Sequence, residues 1–205
     1  CTVPAMEYRL MADKMTAEQR HKCMSHIRSR DTKPEKTVRR HLFSEGFRYR
    51  LNVRYLPGSP DIVLAKYHTV IFVNGCFWHG HKDCRHYVIP KTNTAFWSDK
   101  IQRNIRRDYA VCIRLEALGW KVITVWECEL EPSRRDDTLS CLVGKIKKNG
   151  DDWLKEQDSI RRVRESIRNE RMESRMRRMR LQSEIDSLYK IPERIRKASE
   201  NNTDE

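Results

Sequence analysis

Between Asn74 and His86 the chain sets Cys76, His79, His81, Cys84 and His86 into a loop that also carries Gly75 and Gly80. Cys76, His81 and Cys84 have C-x4-H-x2-C spacing, and thiolate plus neutral imidazole is the donor set that tetrahedral zinc prefers. Three ligands leave one coordination place open. Cys128, just past the apolar run that ends at Trp126, fills it if that run pairs as a strand with Thr69–Val73. A closed Cys3His site is structural: it stiffens a loop with few apolar residues and does not activate water. Ordinary unligated cysteines are the plain alternative, and three ligands clustered within nine residues speak for the metal. Cys112 and Cys141 fall on apolar faces and read as core.

Asp61 is the second chemical group. It stands directly after Pro57-Gly58-Ser59-Pro60 and directly before Ile62-Val63-Leu64-Ala65, at the head of a strand. A turn residue is the bland reading, and a hard oxygen ligand that holds Mg²⁺ beside a phosphate is the chemical one. His79 can be a spare ligand, a surface residue or a general base suited to neutral pH. Glu35 fits a helix-capping box as well as a catalytic role. Phe77, Trp78, Phe96 and Trp97 lie among polar residues, where they serve either as core or as wedges between bases.

The elements that must position these groups can be read in order. A polar helix runs from Thr16 to about Arg28. A second has Thr32 as cap, Pro34 in the first turn, Glu35 closing the box, an apolar stripe of Val38, Leu42 and Phe43, and Gly46 at its end. Tyr49, Leu51, Val53 and Tyr55 alternate as a strand, followed by a turn and the strand after Asp61. Thr69–Val73 is a buried strand that stops at Asn74-Gly75. Ser98 caps a helix with Ile101, Ile105, Cys112, Leu115 and Leu118 on one face and Lys100, Arg103, Asn104 and Arg107 on the other, and Val122–Trp126 follows as a further strand. The order helix, strands, helix, strand specifies an α/β sandwich around a mixed sheet.

The chain has 205 residues, with Lys+Arg 42 against Asp+Glu 29 and a formal net charge of +13. Such a surplus points to a polyanionic partner, nucleic acid above all. Residues 1–150 hold 28 Lys and Arg against 16 Asp and Glu, whereas residues 151–205 hold 14 against 13, so the basicity belongs to the folded part. No apolar run approaches the ~20 residues that cross a bilayer, and the N-terminus lacks a signal-peptide pattern, which sets membrane and secreted classes aside. Seven cysteines, an odd number, argue for reduced thiols and a cytoplasmic setting. Residues 1–15 are expected to be an unstructured leader, with Met6, Met11 or Met15 as candidate starts, and residues 16–150 the folded domain. Residues 151–205 form a charged helical extension that packs on the domain or binds a partner, with a disordered end from 197.

Asp31-Thr32-Lys33-Pro34-Glu35-Lys36, Leu56 to Asp61, Val70 to His81 with its Gly-Cys-Phe-Trp-His-Gly-His string, Phe96-Trp97, Leu118 to Val122 and Val125 to Cys128 together resemble the very-short-patch repair (Vsr) DNA mismatch endonucleases. The likeness spans roughly residues 16–132. It implies a restriction-endonuclease-like mixed sheet flanked by helices, and an enzyme that nicks duplex DNA 5′ of the T in T:G mismatches left by deamination of 5-methylcytosine. It further implies two Mg²⁺ ions held by Asp61 and the backbone carbonyl of Val73, with His79 assisting the attacking water and Glu35 orienting solvent. The zinc ligands would be Cys76, His81, Cys84 and Cys128, and the aromatic wedge Phe77, Trp78 and Trp97. Asn74 stands where some members have His, and the segment after about 150 has no counterpart. The setting expected is prokaryotic, cytoplasmic and nucleoid-associated, linked to a DNA cytosine methyltransferase; a monomer acting on duplex DNA is the default, and whether a mismatch-repair protein aids it stays open. A zinc-stabilised DNA-binding module without catalysis, and a restriction-type nuclease on matched DNA, are the rival readings.

Overall fold

The computed structural model describes residues 10–11, 16, 18–19, 22, 25 and 30–200, with side chains to 188. Most of the expected leader and of the helix over 16–28 lies outside the described residues; Glu18, Gln19, Lys22 and Ser25 within it are helical. Leu10–Met11 forms a short strand, β1. Helix α1 is Lys33–Ser44, and its capping box is present on both sides: the Thr32 hydroxyl accepts from the Glu35 N–H, and the Glu35 carboxylate accepts from Thr32 N–H. Val38 and Leu42 are buried as the stripe requires, but Phe43 is 58% exposed, because the buried arc ends at Leu42 and Phe47 takes the next core place.

The alternating run from Tyr49 shrinks to β2, Arg50–Leu51. Asn52 adopts a left-handed backbone (φ 47°) that ends the strand, while Val53 and Leu56 turn into the core. β3 (Ile62–Leu64) is antiparallel to β2 and to β4 (Thr69–Asn74), and a 3-10 turn, Ala65–Tyr67, joins β3 to β4. β5 (Ile89–Pro90) pairs in parallel with β1. Helix α2 spans Thr94–Ala117, starting four residues before the expected cap at Ser98. The Thr94 hydroxyl donates to the Pro90 and Lys91 carbonyls (3.0 and 2.9 Å), so the turn closes early and Trp97 joins the first turn. β6 (Lys121–Trp126) then runs parallel to β4, in the register Thr69↔Lys121 through Asn74↔Trp126, giving the sheet order β2-β3-β4-β6.

Strand alternation divides the core between two faces. Ile62, Leu64, Ile71 and Val125 face Val38 and Leu42 of α1, and Val63 and Val70 face Val111 and Leu115 of α2. This is the expected mixed α/β layering. Leu118 is 58% exposed and Cys112 only half-buried, so the core face of α2 runs through Ile101, Val111 and Leu115 instead.

The last helix, α3, runs Arg135–Glu200. It begins well before the composition change at 151, and the described chain is helical through 197–200. Leu139, Leu142, Val143 and Ile146 complete the core on the α1 face, whereas Cys141 is exposed, not core. Asn149 donates to the Thr69 hydroxyl (3.2 Å), and Gly150 passes so close to Tyr67 that a Cβ there would stand 2.6 Å from the ring. His68 is stacked between Trp120 and Trp153, with centroids 4.3 and 3.7 Å away. The chain divides into two units, 1–153 and 154–205, with α3 running through both.

If residues 139–146 are integral to the first unit, Ile146→Ala, at a fully buried position, costs about 2–5 kcal/mol in urea unfolding of the intact chain; a cost below about 1 kcal/mol would place that stretch outside the core.

Candidate metal centre and acidic site

Asn74, the last residue of β4, opposes Trp126, the last of β6, so the loop after β4 and the 3-10 turn Glu127–Leu130 leave the sheet side by side. This brings Cys76, His81, Cys84 and Cys128 together, their ligand atoms all within 4.8 Å of one another. Around a tetrahedral ion with Zn–S of about 2.3 Å, neighbouring donors stand roughly 3.8 Å apart, so the set fits with small adjustments. His81 Nδ1 faces the thiols, 3.5 Å from Cys76 Sγ and 3.4 Å from Cys128 Sγ. Its ring lies flat on Trp126 at 4.1 Å, which fixes the ring's orientation. Burial holds the His81 imidazole below its ordinary pKa, in the neutral form a metal needs, and pushes the Cys76 and Cys128 thiols up. A bound cation would reverse the penalty on the thiolates and release their protons.

The loop between the ligands is folded tightly. The His81 N–H donates to the Cys76 carbonyl at 2.9 Å, and the His79 N–H to the Gly75 carbonyl at 3.2 Å. Gly80 has φ +61°, a conformation that strains an L side chain, and a Cβ there would meet Ile105 Cδ1 at 2.6 Å and Ile101 Cγ2 at 3.2 Å, so glycine lets the loop sit closely on α2. One row of α2, at i, i+4 and i+8, then holds two successive loop residues. Lys100 Nζ lies over the Trp78 ring at 5.5 Å, Asn104 Nδ2 donates to the Trp78 carbonyl at 3.0 Å, and Asp108 Oδ2 stands 2.5 Å from His79 Nδ1.

Asp108 was not legible as a site residue; its signal was the four-residue step from Asn104. Burial pushes its carboxyl up, but the hydrogen bond and charge of His79, with Arg107 beside it, outweigh this and hold it below the usual carboxylate range. With Nδ1 committed to Asp108, Nε2 of His79 is the nitrogen left for proton transfer.

Asp61 sits half-buried at the head of β3, its Oδ2 accepting from the Val73 N–H at 2.8 Å. Burial raises its pKa, Glu35 adds to the rise, and Arg39 and His79 oppose it, so all four groups share one electrostatic neighbourhood. Glu35 is 3% exposed and both its oxygens are engaged: Oε1 accepts from the Thr32 hydroxyl (2.9 Å), Oε2 from the Asp31 N–H (3.1 Å) and Arg39 Nη2 (2.6 Å). Arg39, itself buried, also pairs with Asp31, whose carboxyl it holds below the usual range. Sequence reading missed Arg39, which looks like one more helix charge until its burial is seen.

Phe77, Trp78 and Trp97 pack edge to face with centroids 5.2–5.9 Å apart. Trp97 is 8% exposed and packed with Tyr87, Ile89 and Ile101, a consequence of the early start of α2, while its neighbour Phe96 is 53% exposed. The polar, basic face expected on α2 is also partly committed. Arg103 pairs with Asp99 (3.0 Å) and Arg107 with Asp108 (3.1 Å), and Asn104 holds the Trp78 backbone.

No helix among the described residues is long and apolar enough to cross a membrane. A family model described as DNA mismatch endonuclease Vsr matches residues 12–86. A type II nicking enzyme of Neisseria meningitidis serogroup A, V.NmeAIP, is 52% identical over 121 residues, 59% of this chain and 86% of its own length. V.XorIIP, a type II nicking enzyme of Xanthomonas oryzae, is 48% identical over 120 residues, 58% of this chain and 88% of its own. The DNA mismatch endonuclease Vsr of Escherichia coli is 44% identical over 120 residues, 58% of this chain and 76% of its own.

Because the folded-state pKa of Asp61 is raised, its ionised form is less favourable in the fold than in the unfolded chain, a cost present above the folded pKa and relieved as pH falls through it. Without added Mg²⁺, Asp61→Asn therefore raises Tm at neutral pH by about 2–4 °C, and the gain shrinks towards acid pH; a lowered Tm at neutral pH would contradict this environment for Asp61.

Proposed function

The chain belongs to the Vsr family of DNA mismatch endonucleases, and from that premise we propose that it is a Mg²⁺-dependent endonuclease that nicks one strand of duplex DNA 5′ of the T in a T:G pair. The observation that carries the reading is geometric: Asp61 accepts from Val73 N–H at 2.8 Å near the end of β4, and the loop that leaves β4 carries His79, held by Asp108 at 2.5 Å, beside partly covered aromatic rings. The catalytic domain is residues 16–150, of restriction-endonuclease-like fold, and Cys76, His81, Cys84 and Cys128 hold a structural zinc.

Asp61 and the Val73 carbonyl would hold the catalytic cations. Asp61 suits this: it is a carboxylate with one hydrogen bond from Val73 N–H, in a site whose burial penalises its unneutralised charge. When bound, Mg²⁺ stabilises the developing charge on the attacking and leaving oxygens of an in-line displacement. His79, held by Asp108 in the tautomer that leaves Nε2 free, takes the proton of the attacking water, and Asp108 stabilises the imidazolium that forms. Glu35, its acceptor positions filled by Thr32, Asp31 and Arg39, keeps its carboxylate fixed and would orient solvent only by giving up one of those hydrogen bonds. Hydrolysis leaves a 5′ phosphate and a 3′ hydroxyl.

Selectivity follows from deformation. Phe77 and Trp78, seated on Trp97, enter the stack beside the mismatch, and unstacking costs roughly a few kcal/mol per step, least at a weak wobble pair. Lys100, Arg103 and Arg107 serve the neighbouring phosphates, and Asn104 fixes Trp78. A DNA cytosine methyltransferase would supply the 5-methylcytosine whose deamination yields the substrate, a mismatch-repair protein would assist, and the enzyme acts as a monomer.

Labelled duplexes with one T:G pair in varied flanking sequence, incubated with Mg²⁺ beside T:A and C:G controls, test this. The expected result is a nick 5′ of the mismatched T alone. Asp61→Ala removes nicking and keeps binding, and His79→Ala lowers the rate by about 10²–10⁴. No nicking by folded, metal-loaded protein would instead support a DNA-binding module, and equal cutting of matched duplex a restriction-type nuclease. For the metal centre, cobalt(II) titrated into metal-free protein gives the absorption bands of tetrahedral thiolate ligation, lost in Cys128→Ser; octahedral spectra would exclude the Cys3His site.

A further inference from the structure

Within residues 151–205 the near balance of charge conceals an ordered surface. Arg161, Arg164, Arg168, Arg171, Arg175 and Arg178 follow one another at spacings of three and four residues, all lie in α3 and all are exposed. At 3.6 residues per turn they fall within a sector of about 100°, and at 1.5 Å per residue they extend along about 25 Å of one helix face. No acidic residue between 161 and 178 shares that sector. Among the described residues Arg161 pairs with Asp158 at 2.9 Å, and the other five form no ion pair.

Six guanidinium groups in a straight row, largely unneutralised, cost energy through mutual repulsion unless a polyanion of regular spacing lies against them. Arginine is the side chain suited to phosphate, which it meets with two parallel N–H donors. The neighbouring apolar stripe does not favour a second copy of the chain. Ile160, Val163 and Ile167 are separated from Leu181, Ile185 and Leu188 by Glu170, Ser174 and Arg177 on the same face, and Arg164, Arg171 and Arg178 along its flank would oppose themselves in an antiparallel pair.

We propose that this arginine row is a second nucleic-acid site, outside the family domain, that binds the phosphate backbone of duplex DNA without regard to sequence. Preference for DNA over RNA rests on the nicking activity proposed above; the polyanion-binding face itself does not.

The test uses the full-length, zinc-loaded protein without Mg²⁺, so that no strand is cut, and a fully matched duplex of roughly 40 base pairs. Affinity is measured by fluorescence anisotropy as salt rises from about 0.05 to 0.2 M. Each phosphate neutralised on B-DNA contributes about 0.9 to the slope of log K against log salt. Replacing all six arginines with Gln, which keeps helix propensity, should make the slope shallower by about 3–5 and weaken binding at least about tenfold at low salt. Replacing the same six with Lys should restore most of both. An unchanged slope and affinity in the Gln protein would overturn the proposal, as would equal losses in the Gln and Lys proteins at unchanged helicity, which would mark a structural role. A loss seen on single-stranded RNA and not on duplex DNA would overturn it in favour of an RNA ligand. If the wild-type protein fails to nick any duplex while the Gln protein still loses slope on DNA, the nicking reading falls and this site stands.

Discussion

The parallel pairing of β4 with β6, in the register that sets Asn74 against Trp126, is the constraint from which the site follows. Two residues past each strand end stand Cys76 and Cys128, so the same hydrogen-bond ladder that orders the sheet brings two thiols of the metal centre together. A slip by one residue would turn each strand's core side chains to the wrong face and would separate the thiols as well. The Asp61 hydrogen bond to Val73 N–H hangs on the same strand, two residues before the loop begins. Sheet register, metal ligation and the acidic site are therefore one geometric problem with one solution.

The loop from Gly75 to His86 has little core of its own and is held from two directions. The ligand cluster closes it on one side, and on the other the α2 row of Lys100, Asn104 and Asp108 holds Trp78 and His79 in succession. His79 lies between Cys76 and His81 in the chain, two residues from one ligand and three from the other. Arg39 plays the corresponding part for Glu35, locking it from within α1.

What could be read from the residues alone was what is local or strongly patterned. The Thr32–Glu35 capping box needs only three residues of separation, and it is present. Cys128 could be joined to Cys76, His81 and Cys84 because two apolar runs had to pair. Asp108 and Arg39 escaped notice because each looks like an ordinary charge on a helix and acquires meaning only from a partner or a depth of burial supplied by the fold. The burial of Trp97 was not legible because it follows from the helix starting at Thr94, which turns the indole inward. Gly144 and Gly150 masked the helix over 135–150, where packing against Tyr67 and Thr69 overrides weak local propensity. In the extension, net charge was the wrong quantity: 14 against 13 says nothing about which face the arginines occupy.

We propose that the metal centre holds His79, the proposed general base, in place without taking part in the chemistry. Single-turnover nicking of a T:G duplex at saturating protein and Mg²⁺, compared between wild type and Cys84→Ser, is the decisive measurement, because Cys84 stands five residues beyond His79 in the chain and has no proposed role in the chemistry. The account predicts a nicking rate that falls by about 10²-fold or more, as expected when a general base is displaced by about an ångström, while affinity for matched duplex changes little. A variant that loses its zinc and still nicks at the wild-type rate would contradict it.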